Sequence, residues 1–254
     1  MIQGKKTALI TGAAKRLGRS IALGLARDGW DIAVHYRSSA LEAQSTADEI
    51  RQLGRQAVTL DCDLADEQAT RTLLPRAAEA IGPIHCVVNS ASLFEFDNAA
   101  SFTMRTLDQH MHTNLMAPVL LAQALHGSTP EGAQSVVINL LDQKLFNPNP
   151  DFLSYTLSKA GLQSATVLLA QALAPKVRVV GLAPGLTLVS GDQTEEGFAI
   201  AHQQTPLGKS STSDDIVAAA CYLANAAAVT GTVLVVDGGQ HLMPAARDVM
   251  FLTK

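Results

Sequence analysis

A tyrosine and a lysine in SYTLSKAGL, Tyr155 and Lys159, have the types and spacing to move a proton. Side chains four residues apart lie on one face of a helix. The lysine charge could then lower the pKa of the tyrosine and hold a nucleotide ribose. A tyrosine activated in this way can donate a proton as hydride reaches a substrate. Because the motif is short, an amphipathic helix with exposed polar side chains is the alternative.

A second candidate is the stretch TALITGAAKRLGRSIA, residues 7–22, which predicts a strand, a glycine turn and a helix. Thr11 and Gly12 would end the strand, and Gly18 would enter the helix, so that backbone N–H groups face a phosphate. The spacing differs from the common G-x-G-x-x-G pattern, and Arg16 stands where a third glycine is usual. Arg16 could neutralise a pyrophosphate and also reach a substrate; binding the pyrophosphate alone is the alternative.

The end of the second predicted strand, HYRSS, indicates which cofactor the turn would bind. Proteins that select NAD place an acid about twenty residues beyond the glycines to hold the ribose, and no acid stands here. Arg37 offers a planar fork of donors and Ser38 a hydroxyl, which suit the 2′-phosphate of NADP. Lys15 adds a second cation near this end. The sequence therefore predicts NADP(H), with a solvated loop arginine as the alternative.

These residues need elements that position them, and apolar runs alternate with helix-length segments along all 254 residues. The pattern predicts an α/β fold: one Rossmann-type domain, residues 1–254, with a doubly wound seven-stranded parallel sheet and helices on both faces. Ligands of such sheets lie outside the carboxyl ends of the strands. The predicted strands are TALIT, DIAVHY, AVTLDCDL, IHCVVNSAS, SVVINLL, VRVVGLAPG and TVLVVDGG.

Charge and composition exclude several classes of partner. The net charge is −4, without a basic stripe, which argues against nucleic acid or an anionic membrane and favours a small molecule. No segment reaches the roughly 18 apolar residues that a membrane span needs, and no signal peptide is evident, so we expect a cytoplasmic protein. The three cysteines, and His110 with His112, lack the spacing of metal ligands, so no metal site is predicted.

Four further motifs follow along the chain: NSAS at 89–92, NLMAP at 114–118, LAPG at 182–185 and VTGTVLVVDGG near the end. In the order and content of these motifs the chain resembles the short-chain dehydrogenase/reductase family over essentially its whole length. The resemblance implies hydride transfer with NAD(P), Tyr155 as proton donor, Lys159 as its electrostatic partner and a homotetramer. It also implies that Asn114 bends a helix and positions a proton-relay water.

The resemblance extends the predicted cofactor site: the family's Asn-Asn-Ala-Gly turn is Asn89 to Ser92 here, and its adenine-contacting acid matches Asp63. The full predicted set for NADPH or NADP comprises Gly12, Lys15, Arg16, Leu17, Gly18, His35, Tyr36, Arg37, Ser38, Asp63, Leu64, Asn89, Ser90, Ala91, Tyr155, Lys159, Pro184, Gly185 and Thr187.

Two departures from the family pattern narrow the predicted class of substrate. Most members have a serine thirteen residues before the tyrosine and a glycine at position 16; this chain has Asp142 and Arg16. In both respects it is similar to the pteridine reductases, in which a phenylalanine matching Phe94 stacks the pterin on the nicotinamide. Asp142 beside Tyr155 could help to deliver a proton to a ring nitrogen. The predicted substrate residues are Arg16, Ser92, Phe94, Asp142 and Tyr155.

Two other functions stay open: a general reductase of aldehydes, ketones or acyl thioesters, and an NADP-binding regulatory protein without catalysis. An ordinary core aromatic is the alternative for Phe94. Residues 187–211, with Gly191, Gly197 and Gly208, are expected to form a substrate lid. We expect His241 and the apolar tail that follows it to pack on a neighbouring subunit.

Overall fold

The structure, a computed structural model, describes residues 6–189 and 193–251. The described residues contain seven strands that form one parallel sheet, as predicted. The strands are β1 (Lys6–Ile10), β2 (Trp30–Tyr36), β3 (Ala57–Asp61), β4 (Cys86–Asn89), β5 (Ser135–Leu140), β6 (Val177–Pro184) and β7 (Val233–Val236). Their order across the sheet is β3-β2-β1-β4-β5-β6-β7, which is the doubly wound arrangement.

Helices cover both faces of this sheet. They are α1 (Arg16–Arg27), α2 (Ala40–Gln52), α3 (Glu67–Ile81), α4 (Met104–Met111), α5 (Ala117–Ser128), α6 (Leu153–Leu173), α7 (Glu195–Gln203) and α8 (Ser213–Asn225). One face buries apolar side chains of α1, α2 and α8, and the other those of α3, α5 and α6. The predicted fold class is therefore confirmed.

The strands divide their side chains between these two cores. Ile32 and Val34 of β2 belong to the core under α1, α2 and α8, whereas Ala33 between them belongs to the opposite core. Successive strand residues point to opposite faces, so a strand buried on both sides must be apolar throughout. This requirement explains why the strands read as continuous apolar runs in the sequence.

The register brings the carboxyl ends of the strands to one edge. Ile10 pairs with Val34 on one side and with Val88 on the other, so β1, β2 and β4 end side by side. Farther along the sheet, Leu140 pairs with Leu182. The loops that follow these strands therefore share one edge, where a ligand is expected.

Candidate active site

One cavity of about 660 Å³ lies at this edge and collects most of the predicted residues. Among the described residues, the predicted ones missing from its walls are Asn89 and Asn114. Those on its walls are Gly12, Lys15, Arg16, Leu17, Gly18, His35, Tyr36, Arg37, Ser38, Asp63, Leu64, Ser90, Ala91, Ser92, Phe94, Asp142, Tyr155, Lys159, Pro184, Gly185 and Thr187. The structure thus brings the two predicted sites together, while their roles in binding stay predictions.

The glycine turn lies between β1 and α1 and is closed by the end of β4. Gly12 has φ +66°, and a Cβ on it would lie 3.0 Å from Cα of Ala91. A Cβ on Gly18 would lie 2.3 Å from the carbonyl oxygen of Gly12. The N–H groups of Ser90 and Ala91 donate to Oγ1 of Thr11 at 3.0 Å each. Only glycine permits this backbone approach at both positions.

His35 is 2% exposed and bonds to the glycine turn. Its Nδ1 lies 3.1 Å from the backbone N of Gly12, and its Nε2 lies 3.1 Å from the carbonyl oxygen of Cys62. Burial lowers the pKa of His35 to about 4, so the ring is neutral at pH 7. Nδ1 then accepts from Gly12 and Nε2–H donates to Cys62. Because both nitrogens bond to protein, His35 positions the turn for a ligand.

Polar side chains are exposed at the end of β2. Arg37 and Ser38 are exposed on the cavity wall, as a phosphate-binding pair would be. Lys15 also lies on this wall. Its ammonium pairs with Glu42 of α2 at 2.7 Å, so part of the positive charge of Lys15 is neutralised. Arg16 lies on the same wall with φ +53°, a left-handed conformation that is uncommon for a residue with a Cβ.

The predicted catalytic side chains meet between the end of β5 and the first turns of α6. The hydroxyl of Tyr155 donates to Oδ2 of Asp142 at 2.8 Å. The backbone N–H of Lys144 donates to Oδ1 of Asp142 at 2.8 Å. The ammonium of Lys159 donates to the carbonyl oxygen of Leu140 at 2.6 Å and lies 5.8 Å from the ring centre of Tyr155. Asp142 and Tyr155 are therefore a hydrogen-bonded pair, as the chemistry requires.

The electrostatics of this group correct one expectation. Burial, with the charge and hydrogen bond of Asp142, raises the pKa of Tyr155 well above its ordinary value. The expectation that the pKa of Tyr155 is lowered is therefore wrong for this structure. Burial lowers the pKa of Lys159 itself to about 8 and raises the pKa of Asp142. Burial moves each of these pKa values in the direction that disfavours the ionised form.

Asn114 supports the site from a π-helical segment, residues 112–116, between α4 and α5. Its Oδ1 accepts from the backbone N of Leu93 at 2.8 Å, and its Nδ2 donates to the Leu93 carbonyl at 2.9 Å. Nδ2 also donates to Oγ of Ser158 at 3.0 Å. Such bulges often mark functional sites. The amide thus fixes the loop after β4 against α6, and the water relay stays a prediction.

Asn89 lies under the same edge of the sheet. Its Nδ2 donates to Oδ1 of Asn139 on β5 at 2.8 Å, and Asn139 in turn donates to Oγ1 of Thr166 at 3.0 Å. These contacts link β4, β5 and α6 in the interior. The geometry favours a supporting role for Asn89 over the direct cofactor contact that was predicted.

An aromatic cluster adjoins the catalytic tyrosine. Phe94, which is 38% exposed on the cavity wall, stacks on Phe152 with ring centres 4.2 Å apart and meets the ring of Tyr155 edge-on at 4.7 Å. Asp97 caps the start of α6 by accepting from the backbone N of Ser154 at 2.9 Å. The loop that carries Phe94 is therefore fastened to the helix that carries Tyr155.

Residues near the C-terminal end of the chain line the cavity, although the sequence did not predict them as site residues. Asp248, Val249 and Met250 line it, together with Lys144. The ammonium of Lys144 lies 3.1 Å from Oδ2 of Asp248, and Arg247 pairs with Asp151 at 2.8 Å. The described part of the apolar tail thus packs on its own chain, and packing on a neighbouring subunit stays a prediction. These residues carry no local motif that could have indicated them.

The predicted lid is described only in part, since Gly191 lies outside the described residues. Helix α7 falls within it and packs near residues 249–251. Oγ1 of Thr187, at its start, lies 2.7 Å from Oγ of Ser211, at its end. The two ends of the segment are therefore close together, as in a loop that closes on itself, and its action as a lid stays a prediction.

Comparisons with known proteins agree with this geometry. A family model described as enoyl-(acyl carrier protein) reductase matches residues 12–241. An uncharacterized oxidoreductase of Mycobacterium tuberculosis is 35% identical, over 92% of this chain and 91% of that protein. The chain belongs to the short-chain dehydrogenase/reductase family.

Two more members of the short-chain dehydrogenase/reductase family show the range of relatives. L-rhamnose 1-dehydrogenase (NAD(P)(+)) of a Sphingomonas species is 29% identical, over 95% of this chain and 98% of that protein. The crystal structure of FolM alternative dihydrofolate reductase 1 from Brucella canis, complexed with NADP, is 36% identical and superposes with a TM-score of 0.88. It covers 94% of this chain, and this chain covers 95% of it.

Like its relatives, this short-chain dehydrogenase/reductase is an oxidoreductase. Within residues 6–189 and 193–251, no three His, Cys, Asp or Glu side chains are grouped so that they could hold a metal ion. Of the helices in these ranges, none is long and apolar enough to span a membrane.

Proposed function

We propose that this protein is an NADPH-dependent pteridine reductase, which reduces a ring C=N bond of a dihydropterin or a dihydrofolate-like substrate to the tetrahydro form. The hydrogen bond from the hydroxyl of Tyr155 to Oδ2 of Asp142, 2.8 Å long, is the observation that carries this proposal. Reduction of a C=N bond needs a proton at nitrogen as well as hydride at carbon. A carboxyl group can resupply that proton, whereas the serine usual in the family donates only a neutral hydrogen bond.

The donors on the cavity wall fit NADP(H). The exposed Arg37 and Ser38 suit a 2′-phosphate, and the turn at Gly12, with the N-terminus of α1, suits a pyrophosphate. Arg16 stands beside that turn and would neutralise the same group. The NADP in the FolM structure from Brucella canis supports this assignment. When bound, the nicotinamide supplies the hydride.

In this proposal the chain's own residues hold and move the proton. Tyr155 donates its hydroxyl proton to the substrate nitrogen. Asp142, in its protonated form, then passes a proton to the tyrosine oxygen and takes up another from solvent in the cavity. The ammonium of Lys159, with its pKa lowered to about 8, stabilises negative charge that develops on the tyrosine oxygen. Phe94 presents an aromatic face at the same end of the cavity, where a flat bicyclic ring can stack.

NADPH oxidation, followed spectrophotometrically, tests the proposal with biopterin, dihydrobiopterin, dihydromonapterin and dihydrofolate beside an aldehyde, a ketone and an acyl thioester. We expect a dihydropterin to give the highest kcat/KM. A carbonyl compound that outperforms every pterin would replace the proposal by the general carbonyl reductase. Tight NADPH binding without oxidation by any compound would favour the regulatory protein.

Two variants test the substrate residues directly. Phe94→Ala should weaken pterin binding by about 1–3 kcal/mol, because the stacking face is lost, and should leave NADPH binding unchanged, because Phe94 lies away from Arg37 and the glycine turn. Asp142→Ser should lower pterin turnover while any turnover of reactive ketones survives. Phe102→Ala and Asp108→Ser, which change residues away from the cavity walls, are the matched controls. If Phe94→Ala and Asp142→Ser both keep full pterin turnover, the substrate assignment is wrong.

We also infer the homotetramer that the family resemblance implies. Met116 and Leu168 are exposed apolar side chains of the kind that subunit contacts cover, on the segment before α5 and on α6. Light scattering after size-exclusion chromatography measures the assembly, and a monomer at micromolar concentration would contradict it.

A further inference from the structure

A buried ammonium lies beside the catalytic pair without being part of it. Lys144 is 3% exposed, and a buried lysine is costly unless its charge is compensated. Nζ donates to the carbonyl oxygen of Asp151 at 2.6 Å and pairs with Oδ2 of Asp248 at 3.1 Å. It also lies 5.3 Å from the ring centre of Phe152, over an aromatic face that attracts cations.

Each partner of this ammonium belongs to a segment that forms or supports the substrate end of the cavity. Lys144 itself follows Asp142 by two residues, and its backbone N–H holds that carboxylate. Asp151 and Phe152 lead into α6, and Phe152 supports the ring of Phe94. Asp248 belongs to the C-terminal segment, residues 247–251, of which residues 248–250 line the cavity.

Further contacts hold the C-terminal segment on the same point. Arg247 reaches Oδ2 of Asp151 at 2.8 Å, and the backbone N–H of Asp248 donates to that same oxygen at 2.7 Å. Phe251 meets the ring of Phe96 with ring centres 5.4 Å apart. Asp248 is the residue of this segment that pairs with the buried ammonium of Lys144. The ion pair therefore compensates the charge of Lys144 and also fastens the segment.

We propose that Lys144 is a positioning residue that shapes the substrate end of the cavity by holding the C-terminal segment through Asp248. The ion pair fixes the wall formed by Val249 and Met250 together with the contacts that Arg247 and Phe251 make. Breaking the pair leaves an unpaired charge in a buried site, which favours release of the segment. The identity of the substrate rests on the proposed function, whereas the hold on the segment does not.

Steady-state kinetics of Lys144→Met, Asp248→Asn and the double variant test this proposal with dihydrobiopterin. Each single variant should raise the KM for the pterin about tenfold, as loss of one coupled ion pair would. The KM for NADPH should stay within about twofold, because the cofactor end near Arg37 is untouched. The double variant should be no worse than either single variant, since it removes both charges together. Lys176→Met, which breaks the ion pair with Glu131 outside the cavity walls, is the matched control and should change neither KM.

Trypsin tests the hold on the segment without any substrate. Cleavage after Arg247 releases the residues that follow it, and mass spectrometry measures the rate. In the unmodified protein this bond should be cut slowly, and Lys144→Met and Asp248→Asn should each speed release about tenfold or more. If Lys144→Met does not fold, Asp248→Asn alone decides, because it leaves the lysine in place.

The results separate this inference from the proposed function. An unmodified protein that reduces no pterin contradicts the proposed function, and the trypsin rates and the KM of its best carbonyl substrate then decide the inference. Unchanged trypsin release together with an unchanged substrate KM overturns the inference. Equal rises in the KM for substrate and for NADPH also overturn it, because they indicate a general loss of structure.

Discussion

The hydroxyl of Tyr155 lies 2.8 Å from Oδ2 of Asp142, while the backbone N–H of Lys144 occupies Oδ1 of the same carboxylate. Burial and the nearby Asp142 raise the pKa of Tyr155, and burial also raises the pKa of Asp142. The pair therefore retains its protons at neutral pH more readily than either group would in water. A donor of this kind suits a reaction that ends with a proton on the substrate.

Tyr155→Phe removes the proton donor and leaves the ring in place. We expect kcat to fall about 10²-fold or more, because the lost proton transfer matters in the transition state. NADPH affinity, measured by fluorescence titration, should change little. Tyr222→Phe changes an exposed tyrosine on α8 and serves as the control. Normal turnover by Tyr155→Phe would remove this residue from the mechanism.

Asp142→Asn should stabilise the protein by an amount that grows with pH. Burial raises the pKa of Asp142, so the stability linked to this group is complete below its ordinary pKa of about 3.9 and is lost as the pH rises through the raised pKa. The variant avoids that loss. Melting temperatures of both proteins from pH 3 to pH 9, a range that begins below the ordinary pKa, measure it, with the exposed Asp108→Asn as control. A difference that is the same at every pH contradicts the prediction.

His35 should give the opposite pH dependence. Its pKa is lowered to about 4, so its stabilising neutral form is complete above its ordinary pKa of about 6.5 and is lost as the pH falls through about 4. The shift corresponds to about 3 kcal/mol at 1.36 kcal/mol per pKa unit. Urea unfolding of the unmodified protein should show this loss between pH 6.5 and pH 4.

The variant His35→Leu isolates that contribution. It removes the partners of the Gly12 N–H and the Cys62 carbonyl, each worth about 1–3 kcal/mol when left unpaired. The variant should be less stable at pH 7, and its stability should fall less between pH 6.5 and pH 4 than that of the unmodified protein. His126→Leu is the control. Parallel pH profiles for His35→Leu and the unmodified protein would refute the assignment to His35.

Arg37→Asp should reverse or abolish the preference for NADPH over NADH. A charge-assisted contact with the 2′-phosphate contributes about 1.5–3 kcal/mol, and an aspartate would repel that phosphate. Dissociation constants for both cofactors measure the change. Arg71→Asp alters an exposed arginine on α3 and should leave the preference intact. Equal affinities of the unmodified protein for the two cofactors would contradict the assignment.

The sequence was most informative where one requirement acts on a continuous stretch. Strands such as β5 are buried on both faces and read as apolar runs, so all seven were located. Tyr155 and Lys159 lie close together on α6, as their helical spacing predicts, and their roles stay predictions. The pKa of Tyr155 was predicted in the wrong direction because burial depends on the packed interior, which local spacing does not reveal.

The parts that could not be predicted depend on distant contacts. Lys144 and Asp248 are 104 residues apart, and neither belongs to a motif, so only the folded chain shows that they pair. Lys15 was expected to add a second cation at the cofactor end, and its pairing with Glu42, 2.7 Å away, could not be foreseen because it depends on α2 packing beside α1. Both pairings join parts of the chain that only the folded structure brings together.

Arg16 and Phe152 share a left-handed backbone, with φ of 53° and 54°, at the start of the two helices that border the cavity. A residue with a Cβ costs about 1–2 kcal/mol in this conformation. Glycine would adopt it without that cost. Laboratory evolution for heat resistance alone should therefore enrich glycine at position 16, where the side chain is exposed, and the survivors should lose activity. Phe152 should persist, because its ring is buried and losing that packing costs about 3–5 kcal/mol, more than the strain. Selection for activity under mild conditions should retain both side chains. Sequencing the two surviving pools would show at which position the protein keeps a strained backbone because its activity requires the side chain.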